Sequence, residues 1–159
     1  MATPILERHT LRGALGDILI DMRGAADRAP RPAVIVLQGF SGLPERLARA
    51  GFTAIALDAE RVTPNDLESV IAALDRSELG VPRPTSIGMV GQGPDGGTAI
   101  LAAAGSPRIA TLVTWAAVSS AEVEAAAERV RVPWLRVTPA NGLEPALDAT
   151  TGWLIRYLP

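Results

Sequence analysis

The chain has 159 residues, with 15 arginines and no lysine against 17 acidic residues, a formal net charge of -2 and a pI near 5.4. That length suits one domain spanning 1–159; 48% hydrophobic and 20% charged residues is a globular composition that points to neither a nucleic acid nor an anionic membrane as partner. Without cysteine there are no thiol nucleophiles, disulfides or thiolate metal sites, and without lysine no Schiff-base or P-loop lysine.

Residues 10–23 read as two short strands around a glycine turn, a hairpin, and Gly24 to Pro32 as a loop. Short apolar runs bounded by turn residues then predict five buried strands at Ala33–Leu37, Thr53–Leu57, Ser86–Val90, Ala110–Trp115 and Pro133–Val137. Such near-continuous apolar runs belong to a parallel sheet covered on both faces. Helices fill the gaps. Leu43–Ala50 stops at Gly51, a C-terminal cap. Thr63-Pro64-Asn65-Asp66 supplies an N-cap, a proline at the first helical position and an acid three residues on, before Leu67, Val70, Ile71 and Leu74 at helical spacing. A Thr98–Ala104 helix follows the second glycine-rich turn. Ser119-Ser120-Ala121-Glu122 is a capping box before Val123–Val130, and the last helix carries Leu143, Leu147, Leu154, Ile155 and Leu158 on roughly one face. The expected architecture is a mostly parallel α/β sandwich with an N-terminal β-hairpin. With neither a signal peptide nor an apolar run of membrane-spanning length in view, the expected place is the cytoplasm, and the all-arginine, alanine-rich composition suggests a bacterial, high-GC genome.

Ligands of a doubly wound sheet bind where strands turn into helices, and two such turns stand out: Leu37-Gln38-Gly39-Phe40-Ser41-Gly42 and Gly91-Gln92-Gly93-Pro94-Asp95-Gly96-Gly97. Gly91, Gly93 and Gly96 spell the dinucleotide fingerprint. They follow the third parallel strand rather than the first, Thr111–Ala117 supplies no acid for a ribose, and Pro94 removes an N–H that a pyrophosphate needs. No nucleotide or other cofactor is expected.

The segment Ser86-Ile87-Gly88-Met89-Val90 followed by Gly91-Gln92-Gly93-Pro94-Asp95-Gly96-Gly97 resembles the strand and nucleophile elbow of the α/β-hydrolases, in their dienelactone-hydrolase-like branch. Arg31 to Phe40 is similar to the family strand that ends in His-Gly, Leu47 to Asp58 to the segment after it, and Val132 to Val137 to the strand that leads to the triad acid. The resemblance spans about residues 10–158 and implies a minimal α/β-hydrolase fold with no lid and no eighth strand. It also places the family's catalytic positions. The nucleophile falls on Gly93, which has no side chain. The following oxyanion donor falls on Pro94, which has no N–H, and the acid near Asn141. The strand and loop that carry the family histidine are missing, and His9, expected as an exposed strand-edge residue, precedes the first strand.

The expectation is therefore a non-catalytic relative that binds a small apolar molecule at Gln38, Gly39, Phe40, Gln92, Gly93, Pro94, Asp95 and Trp115, the last as a pocket floor; Trp134 and Trp153 are expected in the core. The alternative is a weak or unusual ester or lactone hydrolase. It would use Asp95 as nucleophile in a shifted Gly93-Pro94-Asp95-Gly96-Gly97 turn, or Asp58 and Glu60 as paired carboxylates. The favoured reading of the same turn makes Pro94 the first helical residue and Asp95 an acid that stabilises the helix N-terminus through its dipole. Carboxylates are scattered, so no metal site is expected. The missing strand leaves Pro133–Val137 as an apolar sheet edge, through which a homo-oligomer or another protein partner is expected.

Overall fold

The structure, a computed structural model, describes residues 5–25, 27, 29–37, 42–138, 140 and 142–158. Its elements run β1 (Ile5–Gly13), β2 (Gly16–Gly24), β3 (Ala33–Val36), α1 (Leu43–Arg49), β4 (Thr53–Asp58), α2 (Pro64–Asp75), β5 (Ile87–Gln92), α3 (Pro94–Gly105), β6 (Ile109–Trp115), α4 (Ala121–Ala127), β7 (Trp134–Val137) and α5 (Leu143–Tyr157). The seven strands form one sheet in the order β1-β2-β4-β3-β5-β6-β7. The hairpin joins antiparallel, through β2 on β4, and every pairing from β4 to β7 is parallel.

Alternation along the strands divides the core in two. Ile35, Ile55, Leu57, Ile87, Met89 and Leu112 face α2, α3 and α4, together with Ile18 and Ile20 of the hairpin. Val34, Val36, Ala54, Val90 and Val113 face α1 and α5 on the other side. Gly88 belongs to this second face. A Cβ there would stand 3.0 Å from Leu158 Cδ2 and 3.3 Å from Leu154 Cδ2, so the glycine lets α5 lie directly on the central strand.

Caps explain where the helices begin. Thr63 caps α2 as expected, accepting from Asp66 N, and Asp66 accepts in return from Thr63 N, which makes the cap a reciprocal box. Asp66 also accepts from Ala14 N at 2.9 Å, tying the hairpin turn to the start of α2. α4 is capped by Ser120, one residue later than expected, because Ser119 donates instead to Glu124.

Other differences from expectation have similar local causes. The hairpin strands extend beyond 10–23, since Glu7, Arg8 and His9 interrupt the apolar pattern without interrupting the ladder. α3 begins at Pro94, as the helix-dipole reading of Asp95 has it, and so takes in the helix-disfavouring glycines Gly96 and Gly97 ahead of the Thr98–Ala104 span. Leu147, Leu154 and Leu158 of the last helix are buried, whereas Leu143 and Ile155 are exposed. The inward row is completed by Ala146 and Thr150.

Candidate functional site

Strand β5 is buried from Ile87 to Gly91 and stops at Gln92, which pairs with Trp115 of β6. The next residue, Gly93, has φ 57 and ψ -127, a backbone conformation that L side chains rarely adopt and only under strain. Pro94 then opens α3. The turn is held by three backbone bonds. Gly93 N donates to Trp115 O at 3.0 Å, and Gly93 O accepts from Gly96 N at 3.1 Å and Val118 N at 2.9 Å.

The glycines around this turn do two different jobs. A Cβ on Gly91 would lie 2.6 Å from Asp95 O, and one on Gly96 2.8 Å from Ala117 Cβ; Gly97 would meet Val123 Cγ2 at 3.1 Å. Those three let the first turn of α3 fold over β5 and against the segment after β6. Gly93 has nothing within 4 Å of where its Cβ would be. It is glycine for its torsion angle, and it faces open space.

A groove of about 370 Å³ adjoins the turn on the α3 and α4 side. Ala116, Ala117, Val118, Ser119 and Val123 form one wall, and Trp134, Arg136 and Thr138 of the β7 segment the other. The Trp134 indole N–H donates to Thr114 Oγ1 at 3.0 Å, and the Arg136 guanidinium stands 3.8 Å from the centre of its ring. Ser119 donates to Glu124 Oε1 at 3.0 Å. Val118, 55% exposed, sits on the rim.

Of the residues singled out from sequence, Gln92, Gly93, Pro94 and Asp95 come together at this turn. Asp95 is the second residue of α3 and half-buried, so the strained position lies two residues upstream of it. Trp115 contributes its backbone carbonyl to the turn, but its side chain is only 2% exposed. It points into the α1 and α5 core, where the indole N–H donates to Thr150 at 2.8 Å. The expected pocket floor is thus core, and Trp134, expected in the core, lines the groove instead. Trp153 is half-buried and donates to Thr111 Oγ1. Gln38, Gly39, Phe40 and Asn141 lie outside the described residues.

Asp58 and Glu60 are exposed at the end of β4, separated from β5 by β3. Asp58 lines a different groove, on the hairpin, with Arg8, His9 and Asp21. His9 itself is half-buried rather than an exposed edge residue: its Nε2 is 3.7 Å from Glu7 Oε2 and packs beside Gly80. Among the described residues no cluster of three or more His, Asp or Glu is placed to hold a metal, and no helix is long and apolar enough to cross a membrane. The groove residues Trp134 and Arg136 were legible only as an alternation: they share one face of a short strand whose other face is Leu135 and Val137.

A mostly parallel sheet with an N-terminal antiparallel hairpin, and a sharp strand-to-helix turn after its central strand, is the α/β-hydrolase fold in its dienelactone-hydrolase-like form. Solved structures bear this out. The chain matches a dienelactone hydrolase from Anabaena variabilis with a TM-score of 0.64 at 13% identity, over 98% of this chain and 99% of that one. It matches an α/β serine hydrolase without a lid from Xanthomonas campestris with a TM-score of 0.64 at 15% identity, over 100% and 98%. A hypothetical protein from Pseudomonas aeruginosa is similar at 23% identity with a TM-score of 0.57; there the match covers 74% of this chain and 44% of the other. No protein-family model matches the chain, and no curated protein does.

Proposed function

We propose that this protein keeps the architecture of a hydrolase site without its chemistry, and binds a small apolar molecule at Gln92–Pro94 and in the adjoining groove. The observation that carries this reading is Gly93. Of the glycines at this turn it alone has open space where a Cβ would stand, and it has no side chain to fill that space. A nucleophile at this position would attack from a side chain, and glycine has none. The next residue, Pro94, has no N–H to give a developing oxyanion, a contact worth about 2.7–4 kcal/mol of barrier where it is present. The groove has the size and lining of a ligand pocket: about 370 Å³, mostly apolar, with Ser119, Glu124 and Arg136 as convergent polar groups.

The test is hydrolysis of short-chain p-nitrophenyl esters by the purified protein, with Asp95→Asn and Glu60→Gln measured beside it. The expected result is the buffer rate for all three. Turnover by the native protein that either variant loses would overturn the reading and give that carboxylate a catalytic role. For binding, p-nitrophenol is expected to quench the fluorescence of the native protein and to quench that of Trp134→Phe less.

A further inference from the structure

Strand β7 closes one side of the sheet, with β6 as its partner among the described residues. The two sheet edges are protected unequally. β1 carries Glu7, Arg8 and Arg12, the kind of charge that keeps a strand edge from pairing with another chain. β7, Trp134-Leu135-Arg136-Val137, has one charge, and that guanidinium is laid over the Trp134 ring.

The backbone of β7 is aligned to accept another strand. Pro133 O accepts from Leu112 N and Val137 O from Ala116 N, both at 3.0 Å. Alternate residues of a strand direct their peptide groups to opposite sides, so Trp134 and Arg136 turn their N–H and C=O away from β6. Pro133, the one residue here without an N–H, faces β6, and its deficiency never reaches the open edge.

The side chains select the occupant. Trp134 and Arg136 lie on the α4 side, beside the groove of about 370 Å³. Leu135 and Val137 lie on the α5 side, beside a second groove of about 240 Å³. In an antiparallel pair, opposed residues share a face, so the axis passes through a single residue; only axes at Leu135 and Arg136 pair three of the four residues of β7 with a second copy, and axes at Trp134 or Val137 pair one. A two-fold axis at Arg136 would set guanidinium against guanidinium, which is repulsive. An axis at Leu135 sets leucine against leucine and places each Arg136 opposite the Trp134 of the other copy. The cation–π pair now made within one chain is then available across the interface. In that register Trp134 and Arg136 form the hydrogen-bonded pairs, each exchanging two N–H···O=C bonds, and Leu135 is the close, non-hydrogen-bonded pair on the axis.

We infer that the protein forms a two-fold dimer through antiparallel pairing of β7 with β7 of a second copy, with the axis at Leu135. One continuous sheet then runs through both copies, and the grooves beside β7 are closed from the side. A strand of unrelated sequence lacks this reciprocal Arg136–Trp134 match.

The native chain has no cysteine, so Leu135→Cys carries a single thiol on the axis. Mild oxidation is expected to convert Leu135→Cys to a disulfide-linked dimer and to leave Arg12→Cys, on the opposite edge, unlinked. Sedimentation of the native protein is expected to give twice 16.6 kDa. Arg136→Pro is expected to give the monomer mass with unchanged circular dichroism, because the N–H that it removes points away from β6. Arg136→Lys is expected to stay dimeric. A native protein that sediments as a monomer at its highest soluble concentration overturns the proposal. So does a dimer in which Leu135→Cys cross-links no faster than Arg12→Cys, which would put the contact on another surface. If Arg136→Pro fails to fold, the cross-linking comparison decides alone.

Discussion

Asp66→Ala is expected to lower the unfolding free energy by about 3 kcal/mol, since a hydrogen bond to a buried charged group contributes roughly 1.5–3 kcal/mol and this carboxylate accepts more than one. The side chain is 5% exposed, yet it accepts from Thr63 N and Ala14 N, both at 2.9 Å. Its loss strands two backbone donors and unfastens the hairpin turn from α2. For a domain of this size the melting temperature should fall by about 6–12 °C. Urea or thermal unfolding checks this, and Asp66→Asn should fall between the two. A loss below about 1 kcal/mol, no larger than an ordinary exposed cap, would mean that the Ala14 contact contributes nothing.

The same residue sets a pH dependence. Burial raises the Asp66 pKa, but the bonds from Thr63 and Ala14 outweigh it and hold the group below its ordinary value. Asp75 is also lowered, first by its hydrogen bond from Arg108 against the opposing effect of burial. A depressed carboxyl stabilises the fold fully above its unfolded pKa, about 3.9, and that contribution is lost as pH falls through the folded value. Stability should therefore be flat with respect to these two groups near neutrality and fall on acidification below about pH 5. The double variant Asp66→Asn, Asp75→Asn should start less stable and lose less over the same range. An equal acid slope in both proteins would show that other groups control it.

Gly91→Ala is expected to destabilise by about 3 kcal/mol, at the upper end of ordinary overpacking. The atoms that the new methyl would meet are Asp95 O at 2.6 Å and Asp95 C at 2.9 Å. These are backbone, so relief requires the whole first turn of α3 to move. Gly93→Ala has free space and costs only the torsional strain, about 1–3 kcal/mol. Unfolding of the two variants side by side measures the difference. A larger loss at Gly93 than at Gly91 would reverse the division of labour between the glycines at this turn.

That division explains why the fold was easier to read than the activity. Gly88, Gly91, Gly96 and Gly97 are demanded by packing, of α5 on β5 and of α3 on β5 and against Ala117 and Val123, and that requirement is independent of whether a nucleophile stands at position 93. The apolar runs of β3 to β6 were legible because both faces of those strands are covered. The hairpin was read too short because one of its faces is solvated, so charge and ladder coexist. The tryptophans exchanged roles for a reason that a linear pattern does not contain. Trp115 and Trp134 sit on opposite faces of the sheet, the first packed directly on its helix and the second separated from α4 by a groove. Trp115 meets Thr150 of α5, whereas beyond Trp134 lies the open groove. Side-chain alternation gives the faces; what stands opposite each face is a tertiary fact.

The strand order has a consequence for how the chain assembles. Sequence order and sheet order diverge once, where β3 is laid between β4 and β5. A nascent chain that has emerged as far as Gly105 already contains β1-β2-β4-β3-β5 with every neighbour of β3 and β4 present. From there synthesis adds β6 and then β7 at one margin only, in the order in which they are made. The one insertion, of β4 between β2 and β3, is complete by that point, and the sheet can then grow vectorially from a finished centre.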